Sequence, residues 1–372
     1  MSLEHDPTIP SIDSRDVDAV RRVLQAGEMG PGRWNEEFES AFAEYLGVRG
    51  AVSLASGAAA LQLALEAFGV DGEVILPSLN HVDATLAVLR AGATPIFADV
   101  DSRSFTVDPD AVASRIGPRT EAIIPAHVAG QCCDMTRLTM LSERHGLLLL
   151  EDSTDAVGGM HFGQQAGSFG PACFSFATDQ NLATGQGGLF ACDDLRVIAE
   201  MRALSDRGRI HGRVTRVGTD LRMSGLEAAL GLQRLDRVDG LNEQRRSHAA
   251  AYDEAFQNFD EVRPPVVLEG SHHVYQRYPV RVRNLDRDRW LERLREAGVA
   301  AVAAFDPPVH QEPAFMAFDP NQELPRTEEV ARGVVTLPLG PGLTNERRDA
   351  VIEAVELTVV ECRTTSATEV LQ

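Results

Sequence analysis

The chain has 372 residues, of which 44% are hydrophobic and 24% charged, and a formal net charge of −20. That length suggests two or three folding units. No apolar run approaches the roughly 20 residues of a membrane span, so no membrane partner is expected. The acidic balance argues against a nucleic-acid partner, whose phosphates need a basic face, and is read as acid-biased solubility.

Met1 to Pro10 carries no basic segment followed by an apolar core, so no signal peptide is read there and a cytoplasmic location is expected. Five scattered cysteines, with Cys132 and Cys133 adjacent and no CxxC pair, point to free thiols rather than a disulfide framework or a metal site. All 35 residues counted as lysine plus arginine are arginine. A chain of this length ordinarily carries roughly twenty lysines.

Three zones follow in chain order, with no internal repeats. The first, residues 1–48, is a helical arm. Ser11 to Asp16 supplies capping residues, and Val17, Val20, Val23 and Leu24 follow at helical spacing. Gly27 to Gly32 breaks that helix, and a second one carries Phe38, Phe42 and Leu46. The second zone, residues 49–240, alternates apolar strands with helices. Strands are predicted at Ala51–Leu54, Glu73–Leu76, Thr94–Ala98, Ala122–Ala126, Leu147–Leu150 and Leu189–Ala191. Helices are predicted at Ala58–Phe68, Asp83–Ala91 and Met135–His145. This is an α/β pattern, a mostly parallel sheet covered by helices. Ligands gather at the carboxyl ends of such strands, so the loops beginning at Ser56, Pro77, Asp152 and Ser175 are the places to search. The third zone, residues 241–360, reads as a smaller α+β domain. It has helices at Leu241–Phe256, Asp286–Ala297 and Glu346–Val360, and strands at Val274–Val282 and Val334–Leu337. Residues 361–372 read as a flexible tail.

Ala55 to Leu61 is a small-residue turn that opens a helix, a form suited to a phosphate or simply to a tight turn. Asp152 ends an apolar run, where an acid can hold a pyridinium nitrogen protonated or cap a helix. The glycines of Gly185-Gln186-Gly187-Gly188 suggest backbone brought close to a ligand or to another segment.

These loops, in this order, resemble the DegT/StrS-type sugar aminotransferases, fold-type I enzymes that use pyridoxal phosphate (PLP). The resemblance runs from Pro10 to Val360. It includes Ala91-Gly92-Ala93-Thr94-Pro95, His127 with Gly130-Gln131, Gly167-Ser168-Phe169-Gly170, Arg222-Met223-Ser224 and Leu337-Pro338-Leu339. The resemblance implies that Asp152 pairs with the coenzyme ring nitrogen, and that Ser56, Gly57 and Ser175 hold its phosphate. It also implies a homodimer with a small-molecule, sugar-like or amine-bearing substrate in surface or specialised sugar metabolism, and no metal.

The departures fall in the same pocket. The family's coenzyme-linking lysine falls on Gln180, and a carboxamide forms no imine and is no base near neutral pH. The phosphate-binding threonine falls on Ala58, and the ring-stacking aromatic on His81 or its neighbour Leu79. A glutamine falls on Asp155, the glutamate of the glycine turn on Gln186, and an asparagine sent from the partner subunit on Asp220. The expectation is therefore a repurposed enzyme, with His81, Asp155 and Gln180 as its chemical groups. Asp152, Asp155, Asp179, Asp220 and His81 are expected around one cavity, suited to acid–base chemistry or a cationic substrate. PLP or its amine form, pyridoxamine phosphate (PMP), would be held noncovalently if bound at all, and coenzyme-free chemistry stays open. The alternatives are a non-catalytic partner of an active paralogue and a variant of an ordinary aminotransferase.

Overall fold

The computed structural model describes residues 12–318 and 323–369, so Met1–Ser11, including the first expected capping residue, lie outside them. Helix α1 (Ser14–Ala26) starts at Asp13, whose carboxylate accepts from the Arg15 and Asp16 N–H groups while Asp16 accepts from the Asp13 N–H. This reciprocal capping box satisfies donors that the first turn leaves free. Helix α2 (Arg33–Leu46) follows the glycine break.

The large domain then alternates β1 (Gly50–Leu54), α3 (Gly57–Phe68), β2 (Glu73–Pro77), α4 (Val82–Arg90), β3 (Thr94–Ala98), α5 (Pro109–Arg115), β4 (Thr120–Ile123) and α6 (Met135–His145). Next come β5 (Leu148–Leu149) and β6 (Glu151–Asp152), the short β7 (Met160–His161) and β8 (Gln164–Gln165), then β9 (Ala172–Ser175) and β10 (Gly188–Cys192). The Leu150 N–H bonds Ile123 and the Asp152 N–H bonds Pro125, so β5 and β6 form one strand joining two four-stranded halves. The resulting order is β3-β2-β4-β5/β6-β9-β10-β1, parallel except for β10.

All six strands expected in this zone are present. The sheet also holds β9, which its short sequence, Ala-Cys-Phe-Ser, hides among loop-like neighbours. Most strand residues are apolar because both faces are covered. One face packs Leu61, Leu65, Val88 and Phe97 under α3 and α4. On the other, Phe38 and Phe42 of α2 meet Phe174 and Phe176 edge-on at 4.9–5.7 Å between ring centroids.

The chain continues through α7 (Leu195–Ser205), the hairpin β11 (Arg209–Ile210) and β12 (Arg213–Val214), α8 (Gly225–Leu235) and the long α9 (Val238–Phe256). The smaller domain adds β13 (Val262–Arg263), β14 (Ser271–His272), β15 (Tyr278–Val282), α10 (Arg287–Glu296), β16 (Val302–Ala303), α11 (Pro325–Gly333), β17 (Val334–Leu337) and α12 (Asn345–Glu369). Its sheet is antiparallel, ordered β13-β15-β17-β16, over a core of Tyr252, Phe256, Trp290, Val335 and Val355.

Two expectations change here. The strand foreseen at Val274–Val282 begins only at Tyr278, because Tyr275 is left-handed (φ 46°) and the Val274 N–H is taken by Gly130. The last helix runs on to Glu369 rather than ending at Val360, so the segment read as a loose tail is helical in its described part. Buried Cys362 and a two-bond contact from Arg363 to Glu261 (2.6 and 2.5 Å) anchor it, while residues 370–372 lie outside the described chain. All five cysteines are buried, and none forms a disulfide among the described residues. No helix among the described residues is long and apolar enough to cross a membrane.

Candidate active site

The four loops picked from the sequence leave the carboxyl ends of β1, β2, β6 and β9, which lie on one edge of the sheet because those strands are parallel. At β1, Ser56 caps α3, its hydroxyl accepting from the Ala59 N–H at 3.1 Å. The first-turn amides of Gly57 and Ala58 point out of the helix end, where an anion is favoured. Ser175 lies against this turn, and its hydroxyl accepts weakly from the Ala177 N–H at 3.4 Å. A methyl group on Gly57 would sit 2.8 Å from the Ser175 Cβ, and one on Gly188 only 2.3 Å from the Ser56 carbonyl.

At Gly188 the glycine run is thus explained by a second chain segment, the Ser56 turn, passing beside β10, and at Gly187 by the Met223 side chain, 2.3 Å from where a Cβ would stand. Gly188→Ala is expected to cost about 1–3 kcal/mol through overpacking, read as a lower urea midpoint at unchanged slope. An unaltered midpoint would show that the turn yields freely.

At β6, Asp152 is buried in the strand's last position. Its carboxylate accepts from the Asn80 side chain (3.2 Å) and from the Thr154 N–H (3.3 Å). Burial pushes its carboxyl above the usual range against the pull of these two donors, and the neighbouring Asp155 adds to the rise. Asp155, also buried, accepts from the Ala129 N–H (3.1 Å) and from the Gln180 amide (3.2 Å). The other half of the Gln180 amide, Oε1, is buried with no partner among the described residues. His81 begins α4; its Nε2 is likewise buried and unpartnered, and its ring lies 6.1 Å from that of Phe305. A small cavity is lined by Asn80, His81, Ala126, His127, Val128, Asp152, Thr154 and Asp155.

Of the five acid–base groups expected around one cavity, three line it: His81, Asp152 and Asp155. Asp179 is turned out, with 48% of its side chain exposed, because Arg277 pairs with it. Asp220 lies apart, 44% exposed and bracketed by Arg207 and Arg222. The hydrogen bond and charge of Arg222, with help from Arg207, hold its carboxyl below the usual range, so it is a neutralised cluster rather than a bare negative charge. Between the two positions offered for the ring-facing residue, Leu79 is buried in a separate apolar cluster and His81 lines the cavity.

Sequence reasoning missed Asn80, the direct partner of Asp152, although it lies in a loop marked for search. It also missed Glu151, which turns the other way from Asp152. Fully buried, Glu151 accepts from Gly167 (2.8 Å), Phe169 (2.8 Å), Gly170 (3.0 Å) and the His127 Nε2 (3.1 Å). The His272–Tyr278 segment is mainly packing: the His273 and Tyr275 rings stack at 3.9 Å, and Tyr278 donates to Asp253 at 2.7 Å. No group of three or more His, Cys, Asp or Glu among the described residues is arranged to hold a metal.

A sequence profile of the DegT/DnrJ/EryC1/StrS aminotransferase family matches residues 10–356. The chain belongs to that family. It is 34% identical to the GDP-perosamine synthase of Caulobacter vibrioides over 94% of this chain and 97% of the relative. It is 34% identical to the dTDP-3-amino-3,4,6-trideoxy-alpha-D-glucose transaminase of Micromonospora megalomicea over 91% and 93%. Among solved structures, S. venezuelae DesV superposes with a TM-score of 0.89 at 34% identity, covering 95% of this chain and 99% of that one. Spr1654 of Streptococcus pneumoniae, in its PMP form, gives 0.92 at 25% identity over 96% and 98%. Family membership makes this a fold-type I, PLP-transferase-like chain, and the relatives' substrates are sugars.

Proposed function

We propose that this family member works in nucleotide-sugar or surface-sugar biosynthesis and holds its pyridine phosphate by contacts alone, in the PMP form. The observation that carries this reading is the contact of Gln180 with Asp155, a residue lining the cavity. Where the family resemblance puts a coenzyme-linking lysine, Gln180 donates its amide to Asp155, and the chain has no lysine elsewhere. A coenzyme that brings its own amine needs no such link, and Spr1654 has been solved in a PMP form. When bound, PMP supplies that amine and an electron-withdrawing ring.

The residues present fit such a guest. Asp152 is a buried carboxylate whose described partners are neutral amide groups, a costly arrangement that a protonated ring nitrogen relieves. Ser56, Gly57 and Ser175 would hold the phosphate at the α3 amides, and the Gln180 Oε1 is a ready acceptor for an amine N–H. His81 Nε2 is the group to carry a proton, and Asp155, which lines the same cavity, fixes Gln180. The protein would act as a cytoplasmic homodimer, with Asp220 and its two arginines reaching toward the partner's phosphate site. A coenzyme-free reading, with Asp152, Asp155 and His81 as acid–base groups, is favoured by one feature: Ala58 lacks the hydroxyl that the family resemblance implies for a phosphate contact there.

Titration of the protein with PMP and, separately, PLP, by absorbance and calorimetry, decides between them. The expected result is a dissociation constant for PMP of roughly micromolar size, with a PLP complex that borohydride does not fix to the chain. Absence of binding to both would overturn the coenzyme reading and leave the coenzyme-free one.

A further inference from the structure

The loop that carries Asn80 and His81 is held from the other side by the smaller domain. Ser78, fully buried, lies at its start. The Ser78 hydroxyl is 2.7 Å from the His310 Nδ1 and 2.9 Å from the His310 N–H, and the Val309 N–H bonds the Ser78 carbonyl at 3.1 Å. The backbone N–H can only donate, so the Ser78 hydroxyl accepts it; its own proton can go to Nδ1, or its second lone pair can accept an Nδ1–H. Glu328 Oε1, a carboxylate oxygen that only accepts, faces Nε2 at 3.5 Å, and this selects the tautomer with the ring proton on Nε2 and the Ser78 proton toward Nδ1. Burial lowers the His310 pKa, against the opposing pull of Glu328 and Asp99, which favours the neutral ring. One residue on, Leu79 packs with Ala304, Val330, Ala331 and Val334 of the smaller domain. Two residues on, Asn80 reaches Asp152, and beside it His81 meets the Phe305 ring.

We propose that Ser78 and His310 are positioning residues, a clasp through which the smaller domain sets where Asn80 and His81 stand against Asp152. The clasp touches no cavity-lining group itself. Its leverage comes from adjacency: residues 78 and 79 make smaller-domain contacts and the next two, 80 and 81, make pocket contacts, so the loop cannot shift at one pair without shifting at the other. The functional weight of this clasp rests on the reading of Asn80 and His81 as coenzyme-pocket groups, but its geometry is testable without coenzyme.

The test is NMR of histidine side chains in the coenzyme-free full chain, for the native protein, Ser78→Ala, His310→Ala and His310→Asn. Asparagine keeps an acceptor near the Nδ1 position and alanine does not. In the native protein His310 should give the nitrogen signature of the Nε2–H tautomer; a protonated Nδ1 would overturn the proposal even if no variant folds. Both alanine variants should move the His81 ring resonances, and His310→Asn should restore them toward native. Unmoved His81 resonances in folded alanine variants would sink it. In PMP titrations the alanine variants should bind roughly five- to twentyfold more weakly, the scale of one buried hydrogen bond. If native protein binds no PMP yet His81 responds as described, the clasp stands and the coenzyme reading fails.

Discussion

Asp152→Asn is expected to weaken PMP binding roughly 10- to 100-fold, the scale of a hydrogen bond to a charged group, while making the coenzyme-free protein relatively more stable as pH rises from 4 to 7. The two effects share one cause. Burial raises the folded-state pKa of Asp152 above its value in the unfolded chain. The native state therefore holds this proton more tightly than the unfolded state does. Below the unfolded value both states are protonated and the group costs nothing. As pH climbs from that value through the raised folded one, the native state loses stability, and above it the full deficit remains. Asparagine has no proton to lose, so its advantage over the native protein should grow across that window.

The substitution also removes one of the two acceptors used by Asn80 and Thr154, a cost that does not vary with pH. The slope of the stability difference against pH is thus the diagnostic. Thermal melts of both proteins at half-unit pH steps, with PMP titrations at pH 7, measure both arms. A flat difference would mean that Asp152 is compensated in the native state; unchanged PMP affinity would remove it from the coenzyme site. Such a group, unfavourable to the fold and favourable to a ligand, is what a binding site built on a stable scaffold predicts.

The contrast also explains what the sequence could tell. Strands β1 to β5 and β10 are legible because each belongs to a run of apolar residues between turn signals, and helices α3, α4 and α6 because their apolar positions repeat at helical spacing. Strand β9 is not, since four residues with a cysteine and a terminal serine carry no period. Asp152 was legible from its place at a strand end, and His81 and Gln180 from the resemblance. Which carboxylates share the pocket was not. Asp179 and Asp155 look equivalent in sequence, and only the partners separate them: an arginine turns Asp179 outward, whereas a backbone amide and a carboxamide hold Asp155 in. Asn80 and Ser78 stayed hidden because each acts through one long-range contact, with Asp152 and His310, and a single chain gives no local signal for such pairs.

Glu151→Ala is expected to destabilise the protein by about 3–5 kcal/mol, the range for breaking a fully buried charged network. Side chains alternate along a strand, so Glu151 and Asp152, adjacent in sequence, face opposite sides of the sheet. Asp152 meets the cavity; Glu151 meets the Gly167–Gly170 turn. Both of its oxygens are used, one by the Phe169 and Gly170 N–H groups and the other by Gly167 and the His127 ring. The His127 Nδ1 accepts from the Cys133 N–H, so its proton is committed to Nε2 and it can only donate to Glu151. Alanine would strand four donors at once, those of His127 and Gly167 buried, and no tautomer change can rescue the histidine. Glutamine is no substitute, because its amide nitrogen would face donors on whichever side it took. Urea unfolding of Glu151→Ala and Glu151→Gln should show both midpoints reduced, alanine more. PMP affinity measured well below the new midpoint should change far less than in Asp152→Asn. A loss below about 1 kcal/mol in the alanine variant would mean that water replaces the carboxylate. A large affinity loss in a folded Glu151 variant would mean that the turn and the pocket are coupled through the strand, and that the two carboxylates do not divide stability and binding between them.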